Sequence, residues 1–169
     1  MVTASVNLML DLDERSVDDL MQLRFWLETV GVEEAAGHAP GLSDAAIGEL
    51  TSALHRLEEA SGSPSERIAA DTVFHATVVG AAGNPYLTAV YESVHTAVLS
   101  FELKQWVQRE TVPEWLQGPI SEAQLALHQP ILAAVLDGDP EAGRKAVLAH
   151  HRVMVEHLEA AVAHTSDGT

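Results

Sequence analysis

The chain has 169 residues, 47% of them apolar, no cysteine, and 25 acidic against 9 basic side chains, for a formal net charge of −16. Length and apolar share suit one folded domain with a sizeable core, and the lack of cysteine removes disulfide frameworks and thiolate metal sites. Such acidity is the opposite of the basic stripe that a nucleic-acid binder offers to phosphate.

Residues 1–15 read as an extended lead-in without a secretory signal. Ser16, with Asp19 three residues on, predicts a helix start. That helix runs to about Ala36 and stops at Gly37, with Leu20, Leu27 and Val30 on its inner side and Arg24 among them. A second helix is expected from Ser43 to near Ala60. Ser61-Gly62-Ser63-Pro64 reads as a loop, and a third helix, capped by Ser65, extends to Gly80. Gly83-Asn84-Pro85 breaks the chain before a long helix from about Tyr86 to Gln108. From Arg109 to Pro119 no period is legible. Ser121 opens the next helix, which Pro130 should kink or deprive of a backbone bond. Asp137-Gly138 ends it, and Asp139-Pro140-Glu141 starts the last helix, which reaches about His164. No strand pattern, repeat or low-complexity tract is present, and no apolar run approaches the ~20 residues that span a bilayer. The expectation is a cytoplasmic, all-α bundle of six or seven helices over residues 16–164, followed by a tail at 165–169.

The third helix carries the chemistry. Asp71 and His75 are i and i+4, one turn apart on one face. Ile68, Phe74, Val78, Val79 and Ala82 make the rest of that stripe apolar. A carboxylate there costs several kcal/mol unless a cation or donors satisfy it, so Asp71 calls for a partner. His128 falls on the stripe of Leu125, Ile131, Leu132 and Val135. His150 falls on that of Val147, Val153, Met154 and Ala161. Three imidazoles and one carboxylate facing inward form a ligand set for one divalent transition metal, zinc first, with nickel, manganese or iron as alternatives. Each histidine alone is better explained as a hydrogen-bonded core residue; the joint pattern with Asp71 favours the metal. His157, two turns after His150, is a candidate to support the ligands. His151 points elsewhere, and His38, His55, His95 and His164 read as surface or loop residues. Arg24 is either an i,i+4 ion pair with Glu28, worth little if exposed, or an inward anchor for the carboxylate of a ligand. No nucleophile elbow, Walker loop or Rossmann fingerprint occurs.

Together these residues resemble the FCD domain, the ligand-binding C-terminal domain of FadR-type GntR transcription regulators. The resemblance covers roughly Ser16 to Ala163 and rests on ordered motifs. Arg24-x-x-x-Glu28 precedes Ala35-Ala36, Asp71-x-x-Phe74-His75 looks like the family's metal pair, and Ala82-Gly83-Asn84-Pro85-Tyr86-Leu87 resembles its helix break. His128-x-x-Ile131, Gly138-Asp139, Ala142 and His150 resemble its closing signature. The resemblance implies an antiparallel FadR C-terminal-domain-like bundle and a metal held by Asp71, His75, His128 and His150. It also implies a small carboxylate effector beside the metal, and a homodimer. The sequence departs from the family at Leu127, where a glutamate is usual, and in the helix of His95, which has no arginine before Arg109. The chain has no room ahead of Ser16 for the winged helix-turn-helix of the family's regulators, so no direct contact with nucleic acid is expected.

The sequence leaves three functions in competition. The first is a metal-containing effector domain, binding a small organic acid through the metal and Arg24 and controlling a DNA-binding head outside this chain. The second is a metal-dependent hydrolase or isomerase, with His157 or a glutamate as general base. The third is a bundle that the metal only stabilises.

Overall fold

Local chemistry marks the start of each helix after the first. Residues 14–163 are described by the computed structural model. They form α1 (Glu14–Gly37), α2 (Asp44–Glu59), α3 (Pro64–Gly80), α4 (Pro85–Gln108), α5 (Glu122–Asp137) and α6 (Pro140–Val162). Short 3-10 turns lie at Ala39–Gly41 and Glu114–Leu116, and no strand occurs among the described residues. Ser43, Asn84 and Asp139 each accept amide hydrogens from the first turn of their helix. Ser121 does so in a reciprocal capping box with Gln124. Such caps satisfy donors that have no partner inside the helix. Gly138 ends α5 at φ +70°, a left-handed position that glycine occupies without a Cβ clash.

Three local expectations change. α1 already includes Glu14, so Ser16 lies inside the helix and is not its cap. α3 is capped by Ser63 and not Ser65, because Pro64 at N1 presets the helical φ and Glu66 closes a capping box on Ser63. Val30 is half exposed and leaves the inner face of α1; that face runs instead through Val17, Leu20, Met21, Arg24, Glu28, Val32 and Ala35. Pro130 lies inside α5 on its exposed side, and the carbonyl left without a donor belongs to exposed Ala126. The lead-in at residues 1–13, the tail at 165–169 and His164 lie outside the described residues.

α1 is the hub of the bundle and packs against α3, α4, α5 and α6. Two apolar clusters form around it. One joins Val32, Leu50, Leu57, Phe74, Ile131 and Val147; the other joins Val17, Met21, Val94, Val98, Met154 and Leu158. Burying each large aliphatic side chain contributes roughly 1.5–3 kcal/mol. Between the clusters lies a polar layer. On α1 it is Arg24 and Glu28, between Met21 and Val32. On α6 it is His150, between Val147 and Met154.

Close approach of α1 to α3 depends on Gly31. A Cβ there would meet both methyls and the Cβ of fully buried Val79 at 2.9, 3.0 and 3.2 Å, so rotating Val79 relieves nothing. Gly31→Ala is expected to lose roughly 1–2 kcal/mol in urea unfolding, since overpacking outweighs the ~1 kcal/mol gain in helix propensity.

Glu102 on α4 is buried, with a long bond from Trp106 Nε1 (3.4 Å) on one oxygen and no partner on the other. Burial raises its pKa to about 7, against the Trp106 bond that opposes this. The folded state therefore holds an extra proton between the ordinary carboxylate range and pH 7. The group's contribution is fully present below that range and is lost as pH rises through 7. Unfolding curves of wild type and Glu102→Gln from pH 4.5 to 8 should show the variant gaining stability relative to wild type as pH rises.

Candidate metal centre

α3 brings Asp71 and His75 into the polar layer, α5 brings His128 and α6 brings His150. One ligand atom from each lies within 4.8 Å of the others. The rings of His75, His128 and His150 converge, with centroids 4.5 to 5.1 Å apart. Hydrogen bonds set the tautomers. His75 Nδ1 faces Glu28 Oε1, a carboxylate oxygen that only accepts, so Nδ1 carries the proton. His128 Nδ1 donates to the Gln124 carbonyl at 2.7 Å. In both neutral rings Nε2 is then a bare lone pair, and both face Asp71 Oδ1, at 3.7 Å from His75 and 2.9 Å from His128.

Lone pairs meeting a carboxylate repel unless a cation stands among them. His75 Nε2, Asp71 Oδ2 and His150 Nδ1 are buried without a hydrogen-bond partner. Burial opposes ionisation of Asp71, yet the charge of a protonated His75 outweighs it and holds the carboxyl well below the usual carboxylate range. Burial opposes protonation of His75, yet Glu28 and Asp71 raise its pKa to about 9. Without an ion, a proton on His75 supplies the missing positive charge. Burial and the charge of His75 lower the pKa of His150, which stays neutral. The residues fit a divalent transition metal.

A second layer closes behind these groups, and it corrects the reading of His95. That residue is fully buried on α4 and not at the surface. Its Nδ1 accepts from Arg24 Nε at 2.8 Å, so Nε2 carries the proton, 3.2 Å from Asp71 Oδ2. The polarity pattern of α4 conceals this, because Tyr91, Val94, His95, Ala97, Val98 and Leu99 are all buried and no single apolar stripe marks its inner face. The available signal was Tyr91-x-x-x-His95, an i,i+4 pair like Asp71 and His75. Glu28 also does more than the sequence showed. Its pair with Arg24, at 3.3 Å, is buried, and its other oxygen orients His75. Burial opposes its ionisation, but His75 and Arg24 outweigh that and keep it well below the usual range.

A cleft of about 480 Å3, measured out into the solvent, reaches the site from one side. Asp71, His128 and His150 line it; Arg24 does not, and sits in the second layer with Glu28, Tyr91 and His95. His157 lines the cleft further out, stacked on Trp115 at 4.8 Å. His151 stacks on Phe25, and His55 is exposed.

The FCD domain model matches residues 19–160 of the sequence. No curated protein matches it. Among solved structures the chain is similar to E. coli McbR/YncC, with a TM-score of 0.67 and 18% identity over 88% of this chain and 70% of that one. At that identity the likeness carries the fold.

Glu28→Gln keeps the size of the side chain but removes the carboxylate that holds His75 Nδ1–H. Partners of this kind are worth about 10–100-fold in metal affinity. Competition with a chelating dye should show zinc affinity falling by that order, with the helical circular dichroism unchanged.

Proposed function

This chain belongs to the FCD domain family, effector-binding domains of GntR-type transcription regulators, and we propose that it senses a small organic acid through a bound metal. Membership of that family points to a regulatory role. The observation that carries the metal reading is the convergence of one ligand atom each from Asp71, His75, His128 and His150 within 4.8 Å, with His75 Nε2, Asp71 Oδ2 and His150 Nδ1 buried and without a hydrogen-bond partner. Asp71, His75, His128 and His150 would hold one divalent ion, zinc first, with nickel, manganese or iron as alternatives. When bound, the ion supplies a Lewis-acid position for a carboxylate oxygen.

One carboxylate against a divalent ion, with three neutral imidazoles, leaves a net charge of about +1. That charge attracts an anion through the cleft. Arg24 acts on the effector from behind the ligands: its Nε–H fixes His95, and His95 Nε2–H faces Asp71. His157, further along the cleft, meets the effector's outer part. The sensing unit spans residues 16–164. Effector binding would shift α1 and its neighbours across a homodimer interface and so move DNA-binding heads outside this chain. Trp26 and Val30, one turn apart on the outer face of α1, expose apolar surface in support of self-association. Among the described residues no helix is long and apolar enough to cross a membrane.

Calorimetry with a panel of organic acids tests this on metal-loaded and metal-stripped protein. Saturable binding is expected only in the loaded form, with the acid recovered unchanged. His150→Ala should lose metal and melt at a lower temperature, because a ligand of the folded state stabilises it. A His150→Ala protein that keeps both would remove the metal from the proposal. Turnover of the acid would favour the hydrolase or isomerase.

A further inference from the structure

The outer end of the cleft holds a cation that the metal site does not use. Arg67 lies on α3 one turn before Asp71, is 3% exposed, and lines the cleft. Its Nε donates to the Ala60 carbonyl at 3.0 Å. Its Nη1 donates to Gln124 Oε1 at 3.1 Å and to the Trp115 carbonyl at 3.5 Å, and its Nη2 donates to the Gly118 carbonyl. Every one of these acceptors is neutral, and among the described residues no carboxylate lies within ion-pair distance of it. The acid whose charge acts on Arg67 is Asp71, which is already committed to the imidazoles. A buried cation without a counter-charge is costly, and in a chain of net charge −16 an acidic partner was available to be placed there.

Two more groups at this end lack partners. Trp115 Nε1 and His157 Nδ1 are buried without a hydrogen bond, although both side chains line the same cleft and their rings stack within 5° of parallel. Trp115 Nε1 can only donate. The cleft therefore has two ends that attract anions: the ligand set at its floor, and Arg67 with an indole N–H and an imidazole further out.

We propose that this cleft selects a ligand with two carboxylates, one meeting the metal ligands' end and the second held by Arg67, Trp115 and His157. This rests on the effector reading above and narrows it to short dicarboxylic acids. The guanidinium supplies the charge while its present bonds keep it in place. The indole N–H, and His157 Nδ1 where it carries a proton, supply the direct bonds.

The test is calorimetry on zinc-loaded full chain with malonate, succinate, glutarate and adipate, each against the monoacid of equal length. At least one diacid should bind roughly ten- to a hundredfold tighter than its monoacid, the scale of one hydrogen bond to a charged group. Trp115→Phe keeps the ring stack and removes the N–H; Arg67→Gln keeps donors and removes the charge. Each should reduce diacid affinity by about tenfold or more while leaving monoacid affinity and zinc content unchanged. Should Arg67→Gln fail to fold because it ties down the 115–118 segment, Trp115→Phe decides alone. Equal binding of diacids and monoacids, or a preference intact in the folded variants, overturns this inference and leaves the effector reading standing. No binding of any acid overturns both.

Discussion

A carboxylate among the apolar side chains of a helical bundle, with one oxygen buried, must be answered by positive charge, and Asp71 sets that requirement for everything around it. A closed circuit of side chains from α1, α3 and α4 answers it. Arg24 donates to His95, His95 faces Asp71, Asp71 faces His75, His75 is held by Glu28, and Glu28 pairs with Arg24. With both rings neutral the circuit holds two negative charges and one positive. The remaining charge is supplied by a proton on His75 or by a cation shared with His128 and His150. A bound metal would therefore compete with the proton for one place, a coupling expected wherever ligands must be deprotonated to bind.

The circuit can be buried because apolar packing surrounds it on both sides. α1 contacts four other helices, and its two apolar clusters hold the polar layer between them. The cost of desolvating so many charges is offset by their pairing in rigid positions, since each ring has one nitrogen fixed by a donor or an acceptor. Positions so constrained suit a sensor. The charge at the floor of the cleft is preset, and the contact of His75 with Glu28 ties it to α1.

The arrangement of cations follows the same separation. Arg24 is the cation that the sequence makes prominent, four residues before Glu28 on an inward face, and it serves the layer behind the ligands. Arg67 stands at the cleft, where it joins the end of α2, the turn at Glu114–Leu116 and the start of α5. One arginine holds the circuit from within and the other stands where a ligand would pass. The chain's acidity makes an unpaired buried arginine conspicuous, because nearly every other part of the molecule could have supplied a carboxylate.

Hydrophobic periodicity, caps and breaks determine the helices by local physics, so all six were legible in the sequence to within a few residues. The exceptions were Ser16, which lies inside α1, and Ser63, which caps α3 in place of Ser65. Asp71, His75, His128 and His150 were legible too, because each stands on an apolar stripe that must face inward. Packing alone decided the rest. His95 sits on α4, where apolar residues are not confined to the buried face (Tyr86 and Val107 are exposed), so only the approach of α1 and α3 shows that it faces Asp71. Whether Glu28 and Arg24 form an exposed pair or a buried circuit depends on α4 covering them. Arg67 meets Trp115 and Gln124 across 48 and 57 residues of sequence. Contacts that distant are set by how the helices pack, and no local pattern encodes them.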